Sequence, residues 1–299
     1  MRIVTTGASG MLGHNLMRLA RPDHEVWGGF HTHRIDIPGC RMIPLDLADG
    51  PQSRAQLKSI HPDVVIHTAA LTDVDECERD PEKARRINAD ATAMLAEVTE
   101  DLGARFVYIS TDYVFDGERG DYSEQDSPSP VNRYGETKLL GEGWVRQRCS
   151  RGLILRTTLY GLKIPPRRGM IESLIDSLHG SQTVTRFADQ FFTPVYTGQL
   201  SALILRLVDL GGLGLFHVGA AQKISRLAFA RRVADVFAPG ASILPIPFKQ
   251  IEGIARRPRD SSLVSRCLAE QLDIRLPHLA EGLRQLEQDR QRLVEEREQ

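Results

Sequence analysis

The fold follows from one segment near the start of the chain, Gly7-Ala8-Ser9-Gly10-Met11-Leu12-Gly13, which comes directly after the β-branched run Ile3–Thr6 and opens a helical pattern. A glycine turn between a strand and a helix leaves backbone N–H groups bare at the positive end of the helix, where a pyrophosphate can bind. Three glycines that only end a strand are the alternative, and the flanking strand and helix argue against it. We therefore expect a dinucleotide to contact the residues of this loop, namely Gly7, Ser9, Gly10, Met11, Leu12 and Gly13.

The first half of the chain alternates short β-branched runs with longer helical patterns, which is typical of βαβ units around a parallel sheet. Two helices are well marked, from about Pro81 to Leu102 and from about Arg133 to Arg148. The pattern predicts an α/β fold, a Rossmann-type doubly wound parallel sheet, over residues 1–157. Its six predicted strands are Ile3–Thr6, Glu25–Phe30, Met42–Asp46, Val64–His67, Phe106–Ser110 and Leu153–Arg156.

Residues 158–299 show a weaker rhythm, which predicts mainly a smaller mixed α/β substrate lobe, partly interleaved with the first domain. It begins with a basic loop at Lys163–Arg168. Helices are expected near Ile171–Leu178, Gly198–Leu210 and Ser225–Phe237, with a terminal surface helix at Glu281–Glu296. Short strands are expected at Thr183–Arg186, Leu215–Val218 and Ser242–Ile246.

The overall composition excludes several classes of function. The net charge of −1 over 299 residues offers no excess of positive charge for nucleic acid or an anionic membrane. The four cysteines are far apart, without the spacing of a metal or disulfide framework. No apolar stretch reaches the roughly 18 residues that span a bilayer, and the first strand begins too early to leave room for a signal peptide. These features predict a cytoplasmic protein.

The choice of cofactor should depend on the end of the second strand, where an acid would bind the adenine ribose and repel a 2′-phosphate. The segment Gly29–Arg34 carries no acid there and instead offers His31, His33 and Arg34. This favours NADPH, with NADH as the alternative if these residues are only a solvated turn. Further along the cofactor, Asp46 and Leu47 are expected at the adenine, and Ala69 and Ala70 at the cofactor backbone.

A catalytic set is suggested by Thr111 at the end of the fifth strand and by Tyr134 and Lys138 on the helix that follows the long loop. Tyr134 and Lys138 lie one helical turn apart on one face, so an ammonium can stand beside a phenol. The cation lowers the cost of forming a phenolate, so that Tyr134 can exchange a proton with a carbonyl oxygen to which Thr111 donates a hydrogen bond. In isolation such a Tyr–Lys pair is more often an exposed helical pair, but the glycine loop and the chain order favour catalysis. Ser110, Tyr134 and Lys138 are also expected to contact the cofactor.

Taken together, these motifs resemble the extended short-chain dehydrogenases/reductases, and most closely the dTDP-4-dehydrorhamnose reductase family. The most specific match is STDYVFDG at residues 110–117. Sugar-nucleotide 4,6-dehydratases read STDEVYG there, with a glutamate where this chain has Tyr113, and epimerases usually read SSxxVYG. The other matching segments are Thr6–Gly13, Ala69–Asp75, Asn88-Ala89, Pro130–Lys138, Asp189-Gln190 and Arg257-Pro258.

The resemblance implies NAD(P)H-dependent reduction of the 4-keto group of a nucleotide-linked 4-keto-6-deoxy sugar. It also implies a set of substrate-binding residues, among which an arginine suits a diphosphate unless it only belongs to a solvated loop. That set is Thr72, Asp112, Tyr113, Val114, Asp189, Gln190 and Arg257. Asn88 is either a buried link that braces the active-site backbone or an ordinary exposed helix residue.

Two features limit what the resemblance implies. Phe191–Val195 departs from the family's usual Gly-x-Pro-Thr, so the exact sugar does not follow. Some members form dimers through magnesium held by glutamates, one of them just after the third glycine; this chain has Asn15 nearby, so a homodimer is compatible but no metal is expected. The alternatives in function are another sugar-nucleotide epimerase or dehydratase, and a non-catalytic regulatory subunit like the β subunit of methionine adenosyltransferase, which resembles this family too.

Overall fold

The computed structural model describes residues 1–163, 169–180, 183–250 and 254–298. Most of the basic loop expected at Lys163–Arg168 lies outside these residues. The strands are β1 Arg2–Thr6, β2 Glu25–Phe30, β3 Cys40–Pro44, β4 Val64–His67, β5 Arg105–Thr111, β6 Gly152–Thr157, β7 Leu159–Tyr160, β8 Val184–Phe187, β9 Phe191–Phe192, β10 Val195–Tyr196, β11 Gly214–Val218, β12 Ile224–Ser225 and β13 Ile243–Ile246. The helices are α1 Met11–Ala20, α2 Gly50–Ile60, α3 Val74–Arg79, α4 Pro81–Arg85, α5 Ala91–Asp101, α6 Arg133–Arg148, α7 Met170–His179, α8 Thr197–Asp209, α9 Arg226–Phe237, α10 Arg266–Leu272 and α11 Leu279–Glu298.

A parallel sheet forms the centre of the molecule, with the strand order β11-β6-β5-β4-β1-β2-β3. Apolar residues of α1 and α8 cover one face of the sheet. Residues of α2, α5 and α6 cover the other face, including Leu57, Leu95 and Val145. The predicted doubly wound fold is confirmed. The strand order reverses between β1 and β4, and the carboxyl ends of two strands at such a point frame the ligand crevice of this architecture.

The smaller lobe packs around a second hydrophobic cluster, formed largely by α7, α9 and α11. Its short strands pair two by two, β10 with β7, β12 with β9 and β13 with β8. The division of the chain at residue 157, with its partial interleaving, stays a prediction. Helix α8 packs on α1 against the central sheet.

Two sequence expectations need correction. The strand predicted at Leu215–Val218 belongs to the central sheet as β11, parallel to β6, and not to the smaller lobe, so the sheet has a seventh strand. Parallel strands must be joined by a crossover connection, usually a helix. Helix α8 lies in the connection from β6 to β11 and covers the same face of the sheet as α1. The third strand runs over Cys40–Pro44, two residues before the predicted Met42–Asp46, because its ladder starts opposite Val26 of β2.

The helix predicted at Pro81–Leu102 is present as α4 and α5, joined by one π-helical turn at Arg86–Asp90. The helix predicted at Arg133–Arg148 is α6, and the Asn132 side chain caps it by accepting a hydrogen bond from the Gly135 N–H at 2.9 Å. The elements expected in the smaller lobe and the terminal helix also form, with bounds shifted by a residue or two. Among the residues described, no helix is both long and apolar enough to span a bilayer.

Candidate active site

The glycine loop lies at the point where the strand order reverses. Gly7 follows β1 with φ +65°, and a Cβ there would lie 2.8 Å from the Cα of Ala69, which follows β4. A Cβ on Gly13 would collide with the carbonyl oxygen of Gly7. Gly10 directly precedes α1 and caps it without a side chain, and the first turn of this helix carries no acid. The glycines leave a hollow, the glycine cradle, that any larger side chain would fill, and the helix N-terminus beside it is uncovered. Both features suit the pyrophosphate of a dinucleotide.

Within this loop, Leu12 is buried in the core, whereas Ser9 and Met11 are half-buried. Leu12 would therefore meet a cofactor through its backbone. Ala69 and Ala70 are both half-buried beside the loop, where the sequence placed them.

Thr111 and Tyr134 meet at the carboxyl end of the sheet. Thr111 is the last residue of β5 and is 4% exposed, while Tyr134 is half-buried in the first turn of α6. Burial raises the pKa of the Tyr134 phenol well above its usual value, and a hydrogen bond with the Thr111 side chain lowers it by less. The phenol therefore holds its proton at neutral pH, which suits an acid that protonates a developing alkoxide.

Lys138 lies one turn further along α6, and its side chain is enclosed by protein. The ammonium stands 4.0 Å from the centre of the Tyr108 ring, and the residue is 2% exposed. Burial lowers the pKa of Lys138 to about 7, although the nearby Glu142 carboxylate acts to raise it. The structure thus places the cation on the same helix face as Tyr134, resting on an aromatic ring rather than in a salt bridge.

Because the Lys138 ammonium titrates near neutrality, we predict a pH-dependent rate. The value of kcat/KM for carbonyl reduction should fall as pH rises through the Lys138 pKa of about 7, since the neutral amine no longer stabilises a Tyr134 phenolate. Initial rates between about pH 6 and 9 test this. Lys138→Met should be slow throughout and lack the fall, and a flat profile for the unaltered protein would contradict the assignment.

Asp112, Tyr113 and Arg226 form a polar group beside Thr111. Asp112 is 2% exposed and accepts hydrogen bonds from Ser261 at 2.5 Å and from Thr111 at 3.2 Å. Burial raises its pKa to about 6, while the Ser261 hydrogen bond and the Arg226 charge lower it by less. The Tyr113 ring lies edge-on to Tyr134 with centroids 6.0 Å apart. Tyr113 therefore fills the place of the dehydratase glutamate with a neutral phenol.

Arg226 was not anticipated from the sequence. Its guanidinium lies 3.8 Å from the centre of the Phe192 ring, and it hydrogen-bonds the Tyr113 phenol. Burial lowers the pKa of Arg186, and the nearby Arg226 charge lowers it further. A half-buried guanidinium that bonds Tyr113, whose ring in turn contacts the Tyr134 ring, is suited to an anionic group of a substrate. Only the fold brings the first residue of α9 to this place.

Asn88 braces the loop after β4. It accepts a hydrogen bond from the Leu71 N–H at 2.8 Å and donates to the Leu71 carbonyl at 3.1 Å and to Thr137 at 3.2 Å. Asn88 is 1% exposed, so the prediction of a buried link is confirmed and the exposed alternative is wrong. Thr72, the next residue of the loop, is exposed.

The predicted adenine end of the site is open. His31 approaches Asp46 at 3.8 Å, and Arg34 approaches Asp36 at 3.2 Å. All four of these side chains are well exposed, and His33 is exposed too. Leu47 packs beneath, against the core. The Arg34 guanidinium is paired with Asp36. Binding of a 2′-phosphate by Arg34 therefore stays a prediction.

The predicted substrate residues of the second lobe form hydrogen bonds and an ion pair with distant segments of the chain. Asp189 accepts hydrogen bonds from the Phe248 N–H at 2.6 Å and from Arg259 at 2.7 Å. Gln190, which is buried, donates to the Pro258 carbonyl at 3.0 Å. Arg257 forms an ion pair with Asp75 of α3 at 3.0 Å. The loop around Arg257 is therefore fixed to the first domain and is not solvated throughout, and the contribution of these residues to substrate binding stays a prediction.

Two further predicted contacts involve enclosed side chains. Ser110 donates a hydrogen bond of 2.6 Å to Glu142, and Val114 is fully buried in a small cluster with Phe115 and Tyr122. Any contact that Ser110 or Val114 makes with a ligand would therefore come from the backbone.

Comparison with known proteins places this arrangement in a family. The model of the RmlD substrate binding domain family matches residues 1–292. This chain belongs to that family. A probable low-salt glycan biosynthesis reductase of Haloferax volcanii is 34% identical over 96% of this chain and 97% of its own. A dTDP-4-dehydrorhamnose reductase of Burkholderia thailandensis is 32% identical over 93% of this chain and 95% of its own. The family resemblance drawn from the sequence is confirmed.

The comparisons also include a solved structure and a protein of another kind. A crystal structure of dTDP-4-dehydrorhamnose reductase from Bacillus anthracis in complex with NADP is 29% identical, has a TM-score of 0.86, and covers 96% of this chain and 99% of that one. The β subunit of methionine adenosyltransferase 2 from Danio rerio is 29% identical over 88% of this chain and 82% of its own.

The magnesium that some family members hold does not fit the residues of this chain. Asn15 carries no charge, and its amide nitrogen donates to the Met11 carbonyl at 2.9 Å and to Thr197 at 3.2 Å. Across the described part of the chain, no three histidine, cysteine or acidic side chains are grouped as metal ligands.

Proposed function

We propose that this protein is an NAD(P)H-dependent reductase of the 4-keto group of a nucleotide-linked 4-keto-6-deoxy sugar, acting in deoxysugar biosynthesis. The observation that carries this proposal is the meeting of Thr111 and Tyr134 at the strand ends, with Lys138 one turn along α6 and the glycine cradle at the neighbouring strand. Tyr113 supplies no carboxylate for the elimination that a dehydratase performs. The named reductases among the relatives support the same reaction.

Residues of the chain supply the proton that the carbonyl oxygen receives in this reaction. The bound nicotinamide would supply the hydride to the carbonyl carbon. Thr111 donates a hydrogen bond to the carbonyl oxygen, and Tyr134 gives that oxygen its proton as negative charge develops. The Lys138 ammonium, the cation on the same face of α6, stabilises the phenolate that remains.

A panel of dTDP-, GDP-, UDP- and CDP-linked 4-keto-6-deoxy sugars tests this function. We expect oxidation of NADPH, followed by its absorbance, with at least one member of the panel. Running each assay with NADH in parallel tests the cofactor choice, for which the open, acid-free turn at His31–Arg34 predicts a higher kcat/KM with NADPH. If the protein binds NADPH tightly but oxidises it with none of the sugars, the reductase proposal is wrong and the regulatory-subunit alternative is favoured.

Arg226 is the residue for which we predict the largest effect on substrate affinity. Arg226→Ala should raise KM roughly 10- to 100-fold with little change in kcat, because a hydrogen bond to a charged group is worth about 1.5–3 kcal/mol. Arg226→Lys should recover only part of this affinity, since lysine keeps the charge but not the planar stack on Phe192.

The control for this experiment lies on the same helix. Arg232 is exposed and only loosely paired with Asp235, at 3.8 Å, so Arg232→Ala should leave KM unchanged. Equal KM values for Arg226→Ala and the unaltered protein would contradict a role for Arg226 at the substrate.

The remaining assignments form part of the same proposal. We assign residues 1–157 chiefly to the cofactor and residues 158–299 chiefly to the nucleotide sugar, in a cytoplasmic protein that binds neither nucleic acid nor membrane. A homodimer is compatible with the sequence, and sedimentation at several protein concentrations would test it.

A further inference from the structure

A buried string of hydrogen bonds lies where the strand order reverses. Thr6 and His67 are the last residues of β1 and β4, and they are partners in the ladder between these strands. The Nδ1 atom of His67 lies 2.7 Å from the Thr6 hydroxyl, and its Nε2 atom lies 3.2 Å from the hydroxyl of Thr92 on α5. All three residues are at most 1% exposed. The string therefore joins the strand that carries the glycine loop to a helix that covers the sheet.

The hydrogen bonds of this string run in one direction. Thr92 donates its single hydroxyl hydrogen to the Asn88 carbonyl at 2.8 Å, so it can only accept from His67, and Nε2 must carry a proton. Burial and then the Lys138 charge lower the pKa of His67 to about 3, so the ring is neutral at pH 7 and Nδ1 is an acceptor. Thr6 therefore donates its hydroxyl hydrogen to Nδ1 and keeps its oxygen lone pairs for a donor on the other side.

That donor is the backbone of the loop after β4. The ladder between β1 and β4 ends at Thr6 and His67. Beyond it, the Ala69 N–H donates to the Thr6 hydroxyl oxygen at 3.3 Å, and the Thr68 hydroxyl donates to the Thr6 carbonyl at 2.7 Å. The two loops touch here, since a Cβ on Gly7 would lie 2.8 Å from the Ala69 amide nitrogen. The place of Ala69 therefore sets the width of the glycine cradle on this side.

We propose that His67 is a positioning residue for the dinucleotide. Its ring, held between Thr6 and Thr92 with the proton on Nε2, orients the Thr6 hydroxyl toward Ala69 and so fixes the spacing of the two loops that form the glycine cradle. His67 is too deeply buried to touch the ligand and acts through Thr6. The inference rests on the dinucleotide site of the proposed function and adds to it a residue outside that site.

Fluorescence titration with NADPH, without any sugar, tests this role. His67→Phe keeps a planar ring but removes both hydrogen bonds, and it should raise the Kd for NADPH roughly 3- to 10-fold, the net contribution of a typical hydrogen bond. His67→Gln should recover part of the affinity, because a side-chain amide offers both an acceptor and a donor. A purely structural role would lower the fraction of protein that binds and leave the Kd of the remainder unchanged.

The position of the ring proton gives a second measurement. Long-range ¹H–¹⁵N correlation spectra distinguish a proton on Nε2 from one on Nδ1, and the histidine signal that His67→Gln lacks identifies this ring. We expect the proton on Nε2 in the unaltered protein.

Two threonines of α5 provide a matched pair of variants. Thr92→Val removes the acceptor for Nε2 and should raise the Kd for NADPH in the same direction as His67→Phe, and it decides the question if His67→Phe does not fold. The buried Thr99 hydroxyl has no hydrogen-bond partner among the described residues, so Thr99→Val should leave the Kd unchanged. An unchanged Kd for both His67→Phe and Thr92→Val, or a His67 proton on Nδ1, would overturn the proposal. Because no sugar takes part, that result is separate from failure of the reductase assay.

Discussion

Replacing Tyr134 with phenylalanine is expected to lower kcat for carbonyl reduction by a factor of about 10² to 10⁴, the usual contribution of a positioned general acid. The pKa of this phenol is raised by burial, so in the unaltered protein it carries the proton that the alkoxide must receive. Phenylalanine keeps the ring and its edge-on contact with Tyr113 but has no proton to give. Affinity for NADPH, measured by fluorescence titration, should stay the same, because the glycine cradle is unchanged.

A second tyrosine variant controls for the loss of a buried hydroxyl. Tyr160 is 1% exposed in the second hydrophobic cluster, and its hydroxyl makes a weak hydrogen bond of 3.5 Å to the Leu279 carbonyl. Tyr160→Phe should therefore keep kcat close to that of the unaltered protein. If Tyr134→Phe retained full turnover under single-turnover conditions, Tyr134 would not be the acid and another donor would have to be sought.

The sequence predicted those parts of the site that are local in the chain. The glycine loop is contiguous, and Tyr134 and Lys138 are one helical turn apart, so periodicity alone places them on one face. The predicted strand ends were close enough to bring Thr111 to the same edge of the sheet as Gly7. These predictions depend only on the spacing of residues within one helix and on the order of strands, turns and helices along the chain.

What the sequence could not predict depends on long-range packing. Arg226, the first residue of α9, hydrogen-bonds the phenol of Tyr113 just after β5, and no spacing along the chain signals this contact. The same holds for β11, which joins the central sheet from a region assigned to the smaller lobe. Asp189 and Arg257 were read from family motifs as ligand-facing, whereas their charges are taken up by Arg259 and Asp75.

A buried ion pair beneath the catalytic set was likewise not foreseen. Glu142 of α6 is fully buried and accepts hydrogen bonds from two nitrogens of Arg156, each at 2.8 Å, and from Ser110 at 2.6 Å. Arg156 is itself 1% exposed and lies 3.4 Å from a ring nitrogen of His217 on β11. The Glu142 carboxylate thus links α6 to Arg156 of β6 and to Ser110 of β5, the residue directly before Thr111.

Glu142→Gln should lower the free energy of unfolding by about 3–5 kcal/mol, because it leaves the buried guanidinium of Arg156 without its counter-charge. Urea unfolding followed by circular dichroism measures this, with an unchanged m value as the sign that the compactness of the two states is the same. Replacing both Glu142 and Arg156 with methionine should recover much of the loss, since neither member of the pair is then left as a lone buried charge.

The matched control is Glu97→Gln, which removes the same charge from a partly exposed glutamate paired with Arg54 and Arg148. That substitution should cost no more than about 1 kcal/mol, as surface pairs do. A similar cost for Glu142→Gln would mean that water or a rearranged Arg156 compensates the lost carboxylate. The folded Glu142→Gln protein should also show the fall in kcat/KM at a lower pH, since Glu142 raises the Lys138 pKa, and this shift connects the buried pair to the chemistry at Tyr134.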